Sequence, residues 1–197
     1  MGVREWLMEQ PRVYSAWQAP FVDQKIAPVE RWLRDHNCRR VLDVGCGPGT
    51  NAGRFSDVEY VGIDVNGRYL QMARARFRGQ FVQADLTSAD LSSLGTFDMI
   101  LANSFLHHVP DSDVERILAQ LSGLLSPDGT VHVLDLVLPD HKSLAWMMAK
   151  LDRGRFARPL ERWRALFSAA FEPAAFEPYF YGGRLWSGIY FQGKKKS

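Results

Sequence analysis

The sequence predicts an α/β protein, a mainly parallel sheet with helices on both faces. Three observations predict it. Compact apolar runs such as RRVLDVG (39–45) and TVHVLDLVL (130–138) lack the strict alternation of a sheet with one wet face. Helical patterns separate these runs. Three glycines, Gly45, Gly47 and Gly49, follow the first run at once, where an open α/β sheet lets a ligand approach the backbone.

The elements follow in order. Residues 3–36 read as helical, with Pro11, Pro20 and Pro28 cutting the stretch into short pieces, and Val22, Ile26, Val29 and Leu33 at helical spacing. RRVLDVG is the first strand, followed by a short helix through Thr50 to Phe55. EYVGIDV (59–65) is the second strand, and NGRYLQMARARF (66–77) is a helix with Leu70, Ala73 and Phe77 on one face. GQFVQADL and FDMILANS are the third and fourth strands. The helix VPDSDVERILAQLSGLLSPDG has Asp111 or Ser112 as its cap and Pro127 to Gly129 as its end. TVHVLDLVL is the fifth strand, and a helical, arginine-rich stretch fills 139–170. Two aromatic, β-prone runs flank Gly182-Gly183, which reads as a hairpin. Pro178 cannot donate to a ladder, so its strand belongs at an edge.

The bulk numbers narrow the class. The chain has 197 residues, 46% hydrophobic and 23% charged, which suits one domain over 1–197. A net charge of +2 gives no electrostatic reason to bind nucleic acid. Two cysteines, Cys38 and Cys46, make neither a disulfide framework nor a metal site and suit a reducing compartment. Gly2 does not open a myristoylation motif, because Trp6 stands where Ser or Thr is needed. No apolar run is long enough for a secretory signal or a membrane span. The expected address is cytoplasmic, with no metal, and the expected assembly is a monomer or homodimer.

The glycine stretch admits two readings. From Gly47, the string GPGTNA fits the dinucleotide pattern GxGxxG/A. Against it, Asp43 lies two residues before Gly45, where a carboxylate suits a cationic or amino-bearing ligand better than a pyrophosphate. Asp64 and Asp85 end the second and third strands, each 21 residues after the previous acid. A carboxylate at the first of these ends takes a ribose diol, and one at the second accepts from a purine amine. S-adenosylmethionine has an amino-acid part, a ribose and an adenine.

The strings LDVGCGPGT, VGIDV, QADL and FDMILANSFLHHV, in this order, resemble the class I S-adenosylmethionine-dependent methyltransferases over about residues 38–138. The resemblance implies a Rossmann-like three-layer sandwich whose seven-stranded sheet runs 3-2-1-4-5-7-6 with strand seven antiparallel. It implies that Asp43, Gly45, Cys46, Gly47 and Gly49 line the methionine and ribose side, Asp64 holds the ribose, and Val65 lies beside the adenine. It also implies that Asp85 meets the adenine amine, Leu86 packs on the ring, Asn103 borders the methionine, and S-adenosylhomocysteine is the product. Residues 1–36 would form a helical lid carrying Tyr14, residues 139–170 an acceptor cover, and residues 171–192 a C-terminal hairpin.

For the acceptor, His107 is the expected base, with Asp135 as a second candidate, while His132 reads as a core histidine and His141 as a loop residue. His108, Trp146, Arg153 and Arg155 are expected at the acceptor. Arg158, Arg162 and Arg164 extend an arginine cluster suited to an anion. Asn103-Ser104-Phe105-Leu106 departs from the Asn/Asp-Pro-Pro-aromatic motif of methyltransferases that act on planar nitrogens, which argues against DNA bases and glutamine. The expected function is methyl transfer to an oxygen or nitrogen of a small, anionic molecule. The alternatives are an NAD-dependent oxidoreductase and a non-catalytic S-adenosylmethionine-binding protein.

Overall fold

The computed structural model describes residues 22–152 and 154–196. The expected lid residue Tyr14, and Arg153, lie outside them. Helix α1 (Val22–Asp35) leads into β1 (Arg40–Val44), then a single 3-10 turn at Ala52–Phe55, β2 (Glu59–Asp64), α2 (Gly67–Arg76) and β3 (Gln80–Gln83). Strand β4 (Phe97–Asn103) follows, then a 3-10 turn at Leu106–His108, α3 (Asp111–Gly123) and β5 (Leu125–Leu136). The chain closes with α4 (Leu144–Leu151), α5 (Leu160–Ala170), β6 (Phe171–Tyr181) and β7 (Trp186–Lys195).

The strands form one sheet in the order β3-β2-β1-β4-β5-β7-β6. The first five strands are parallel neighbours, and β7 runs antiparallel to both β5 and β6. This is the expected order, and it puts Pro178 on the edge strand. The hairpin turns at Gly182 and Gly183, both at positive φ.

The pleat of β1 divides the core. Leu42 and Val44 face one layer, where α3 and α5 bring Ile117, Leu121, Trp163 and Phe167. Val41 faces the other, with Ile26 and Val29 of α1 and Leu70 and Ala73 of α2. Side chains at i and i+2 of a strand share a face, so one strand anchors helices on both sides.

Three local expectations differ from the structure. Pro28 does not cut the first helix; it lies inside α1. Its missing N–H costs one helical bond, but Ile26 and Val29 are fully buried beside it and hold the helix to the sheet. The helix expected over Thr50–Phe55 shrinks to the 3-10 turn. Helix α3 ends at Gly123, before Pro127, and its N-cap is Pro110 without a side-chain bond. The Asp111 carboxylate is instead drawn to Arg158 and Arg162, at 2.6 and 2.5 Å.

Candidate functional site

The carboxyl ends of β1, β2, β4 and β5 converge on one edge of the sheet. The glycine loop begins where β1 ends, and Gly45, Gly47 and Gly49 take φ of +69°, +56° and +79°. A Cβ on Gly45 would stand 2.8 Å from Phe105, so its glycine keeps two loops in contact. A Cβ on Gly47 would meet no atom within 4 Å, so the loop surface is open there. Cys46 is buried against Gly62 of β2, and its N–H donates to the Ile63 carbonyl at 3.0 Å. It therefore fixes the loop to the sheet.

Asp64 closes the loop from the other side. Its Oδ2 accepts from the Gly47 N–H at 2.9 Å and its Oδ1 from the Asn66 N–H at 2.7 Å. Asp43 lies beneath, fully buried, with the Tyr60 hydroxyl donating to Oδ2 at 2.8 Å. Burial raises the Asp43 carboxyl to about 7, against the Tyr60 and Asn51 side chains that favour its charged form. Among the described residues its Oδ1 receives no hydrogen bond of good geometry, and neither does the Asn51 Oδ1 beside it. Two buried acceptors without donors fit a ligand that brings an amine.

Farther along the edge, Val65 is 65% exposed, which is unusual for an apolar side chain beside a carboxylate. Leu86 is buried, and Asp85 is exposed with Oδ1 accepting from the Thr87 N–H at 2.9 Å and the Thr87 hydroxyl at 2.7 Å. The hydroxyl bond, then the amide bond, hold Asp85 below the usual carboxylate range. Asn103 ends β4, and its Oδ1 accepts from the Ser104 hydroxyl at 3.1 Å.

His107 lies in the following 3-10 turn. It is 5% exposed and wedged between two carboxylates: Nδ1 is 2.5 Å from Asp135 Oδ1, and Nε2 is 3.1 Å from Asp152 Oδ1. Burial opposes charge on the ring, but Asp135 and then Asp152 outweigh it and raise His107 to about 9. Asp135 and Asp152 are held low in return, because the charged ring outweighs their burial. Both ring nitrogens of His107 are thus engaged by carboxylates in this arrangement. Asp135 is equally committed, accepting also from the Leu106 and Leu136 N–H groups at 2.9 and 2.7 Å.

His107, His108 and Asp152 have ligand atoms within 4.8 Å of one another, a composition that can hold a metal ion.

The arginine cluster divides. Arg158 is buried and donates to Asp111 and to the carbonyls of Leu106, Val109 and Phe156, at 2.6, 3.1, 2.6 and 3.0 Å. Arg162 bonds Asp111 and Glu115, and Arg164 covers the Phe176 ring. These three are spent on structure, not on an anion. Arg155 is exposed, and Trp146 is half-buried on α4 with Lys150 Nζ 5.8 Å over its ring. His141 is an exposed loop residue. His132 is a neutral core histidine between Thr130 Oγ1 (2.9 Å) and the Tyr190 hydroxyl (3.0 Å), with burial lowering it to about 3.

Sequence reasoning missed Lys25, Ser104 and Asp152. Lys25 is 5% exposed, and its amine reaches the Ser104 hydroxyl. Its signal was legible: it precedes Val29 by four on the apolar stripe of α1.

Comparison with known proteins agrees with the topology. The methyltransferase-domain family matches residues 41–129. An uncharacterized methyltransferase of Mycobacterium tuberculosis is 36% identical over 111 residues, covering 54% of this chain and 55% of that protein. A trans-aconitate 2-methyltransferase of Methylobacterium radiotolerans is 39% identical over 108 residues, covering 52% and 39%. The chain thus spans about half the length, or less, of these curated relatives. Magnesium protoporphyrin IX methyltransferase from Synechocystis, solved with bound S-adenosylhomocysteine, superposes with a TM-score of 0.68 at 18% identity over 87% of this chain and 83% of that one. Among the described residues, no helix is long and apolar enough to cross a membrane.

Proposed function

We propose that this chain, similar over residues 41–129 to the methyltransferase-domain family, uses S-adenosylmethionine and moves its methyl group to an oxygen or nitrogen of a small, anionic molecule. The single observation that carries the cofactor reading is Asp43 Oδ1, buried beneath an open glycine loop without a hydrogen bond of good geometry among the described residues. It fits an amino-bearing ligand and repels a pyrophosphate.

The dinucleotide alternative loses support on two counts. A pyrophosphate needs the N-terminus of a long helix, and only a four-residue 3-10 turn follows the loop. It also needs free loop amides, and the Gly47 N–H is given to Asp64.

On this reading Gly45, Gly47 and Gly49 hold the methionine and ribose side, with Cys46 fixing the loop behind them. Asp64 takes the ribose hydroxyls, Val65 and Leu86 flank the adenine, Asp85 accepts from its amine, and Asn103 borders the methionine. S-adenosylmethionine supplies a methyl group already activated on a sulfonium, so the protein's share is positioning. The residues 139–170 cover the acceptor, with α4 supplying Trp146 as an apolar wall.

The Asp135–His107–Asp152 triad does not take a proton from the acceptor. It ties the turn after β4 to the end of β5 and to the loop after α4, which keeps Asn103 in place. The acceptor's anionic character is supported by the relatives named for trans-aconitate, a tricarboxylate.

Calorimetric titration with S-adenosylhomocysteine tests the reading, with NADH as the control. Micromolar binding of the first alone supports it, and binding of NADH alone overturns it.

A further inference from the structure

We propose that Lys25 is the acceptor-holding residue, and that its buried ammonium pairs with a carboxylate of the small molecule to be methylated. The inference deepens the methyl-transfer reading and rests on it.

A buried lysine is expensive unless an anion or several acceptors meet it. Lys25 is 5% exposed, yet among the described residues its hydrogen bonding is limited to the Ser104 hydroxyl. One flank is taken by the Tyr181 ring, 5.4 Å from Nζ to the centroid. An ammonium has three donors, so donors remain.

The carboxylates near enough to act on it are Asp135 and Asp152. Neither forms an ion pair with Lys25, because both close on His107 instead. Burial lowers the Lys25 amine to about 8, with Asp135 and Asp152 pulling it back up, so it stays mostly charged at neutral pH.

Its position is functional as well as costly. Ser104 is the residue after Asn103, and it holds a left-handed backbone at φ +58°, which a serine adopts at a price in strain. Two bonds fix that geometry: the Ser104 N–H donates to the Leu134 carbonyl at 2.7 Å, and its hydroxyl to Asn103 Oδ1 at 3.1 Å. Lys25 therefore stands at the carboxyl end of β4, one residue from the side chain expected beside the reacting methyl. This is the edge at which open α/β sheets bind their ligands. The arginines Arg158, Arg162 and Arg164 are engaged elsewhere, so they do not supply this cation.

The test uses the purified full chain and its Lys25→Gln and Lys25→Arg variants, each checked for an unchanged melting profile. S-adenosylhomocysteine affinity is measured first. Its absence in the wild type would remove the methyl-transfer reading, and this proposal with it. With cofactor bound, ligand-observed NMR then screens mono-, di- and tricarboxylates, trans-aconitate among them, against their neutral methyl esters.

The proposal expects at least one acid to bind the wild type and its ester to bind tenfold weaker or not at all. Lys25→Gln should lose at least tenfold for the acid, and Lys25→Arg should recover part of it. Acid affinity should fall above pH 8 as the amine deprotonates. Among the described residues, the titratable groups beside it are Asp135 on β5, Asp152 after α4 and Tyr181 on β6. Equal binding of acid and ester, an unchanged Lys25→Gln, or no acid bound to the cofactor complex would each overturn the assignment. So would affinity or turnover that rises above pH 8, which marks Lys25 as a base.

Discussion

The Asp64 carboxylate receives the backbone N–H of Gly47 at 2.9 Å, so the acid that ends β2 holds the loop that ends β1. Loop shape and the proposed ribose contact therefore depend on one side chain. Asp64→Ala should weaken S-adenosylhomocysteine binding at least tenfold, about 1.4 kcal/mol, by calorimetry. Asp64→Asn keeps one acceptor oxygen and should fall between. Unchanged affinity in Asp64→Ala would remove Asp64 from the site.

His107 is expected to set the alkaline limit of stability. Its folded pKa, about 9, lies above its ordinary 6.5. Its contribution is therefore fully present below pH 6.5 and is lost as pH rises through 9. Asp135 and Asp152 are shifted the other way, so theirs is present above their ordinary range near 4 and lost as pH falls below it. Urea unfolding should give a plateau from about pH 5 to 6.5 and a decline towards pH 9. His107→Ala leaves two buried carboxylates without their cation. It should cost about 3–5 kcal/mol at pH 6.5 and abolish the decline. A wild-type profile flat from pH 6 to 9 would refute the charged triad.

Gly154 is pressed against the same ring. A Cβ there would run into His107 Cδ2, and the His107 carbonyl accepts the Phe156 N–H at 3.0 Å. Gly154→Ala should destabilise by about 1–3 kcal/mol through overpacking. Its pH profile should lose part of the alkaline decline, because the ring must move off Asp152. Chemical denaturation at pH 6.5 and 9 measures both.

Arg158 gathers three carbonyls and a carboxylate with one planar fork. Lysine has the charge but not the fork, so Arg158→Lys should cost about 2–4 kcal/mol by leaving buried acceptors unmet. Asp111 is shared with Arg162, so Arg162→Ala should cost under 1 kcal/mol, as for a surface pair. Similar losses in the two variants would deny Arg158 its special place.

The centre of the sheet was legible because β1, β2, β4 and the second half of β5 are compact apolar runs. The acids at the strand ends were legible because their spacing repeats. The role of His107 was not. Its neighbour in sequence is His108, but its partners Asp135 and Asp152 lie 28 and 45 residues away, and only the fold brings them together. The partners of Arg158, Arg162 and Arg164 were hidden for a related reason: guanidinium groups suit anions and stacks of carbonyls equally, and composition does not say which is near. Lys25 was not singled out, although its place on the apolar stripe pointed inward.

The edge strand β6 bears on how the protein behaves at high concentration. A sheet ends in a row of unused donors and acceptors that will zip onto any other strand, including one from another copy of itself. Here that row is broken at Pro173 and Pro178, which have no N–H to offer, and Glu172 and Glu177 stand exposed beside them. At the opposite edge β3 is four residues long, too short to template a partner. Among the described residues, neither border of the sheet invites edge-to-edge pairing.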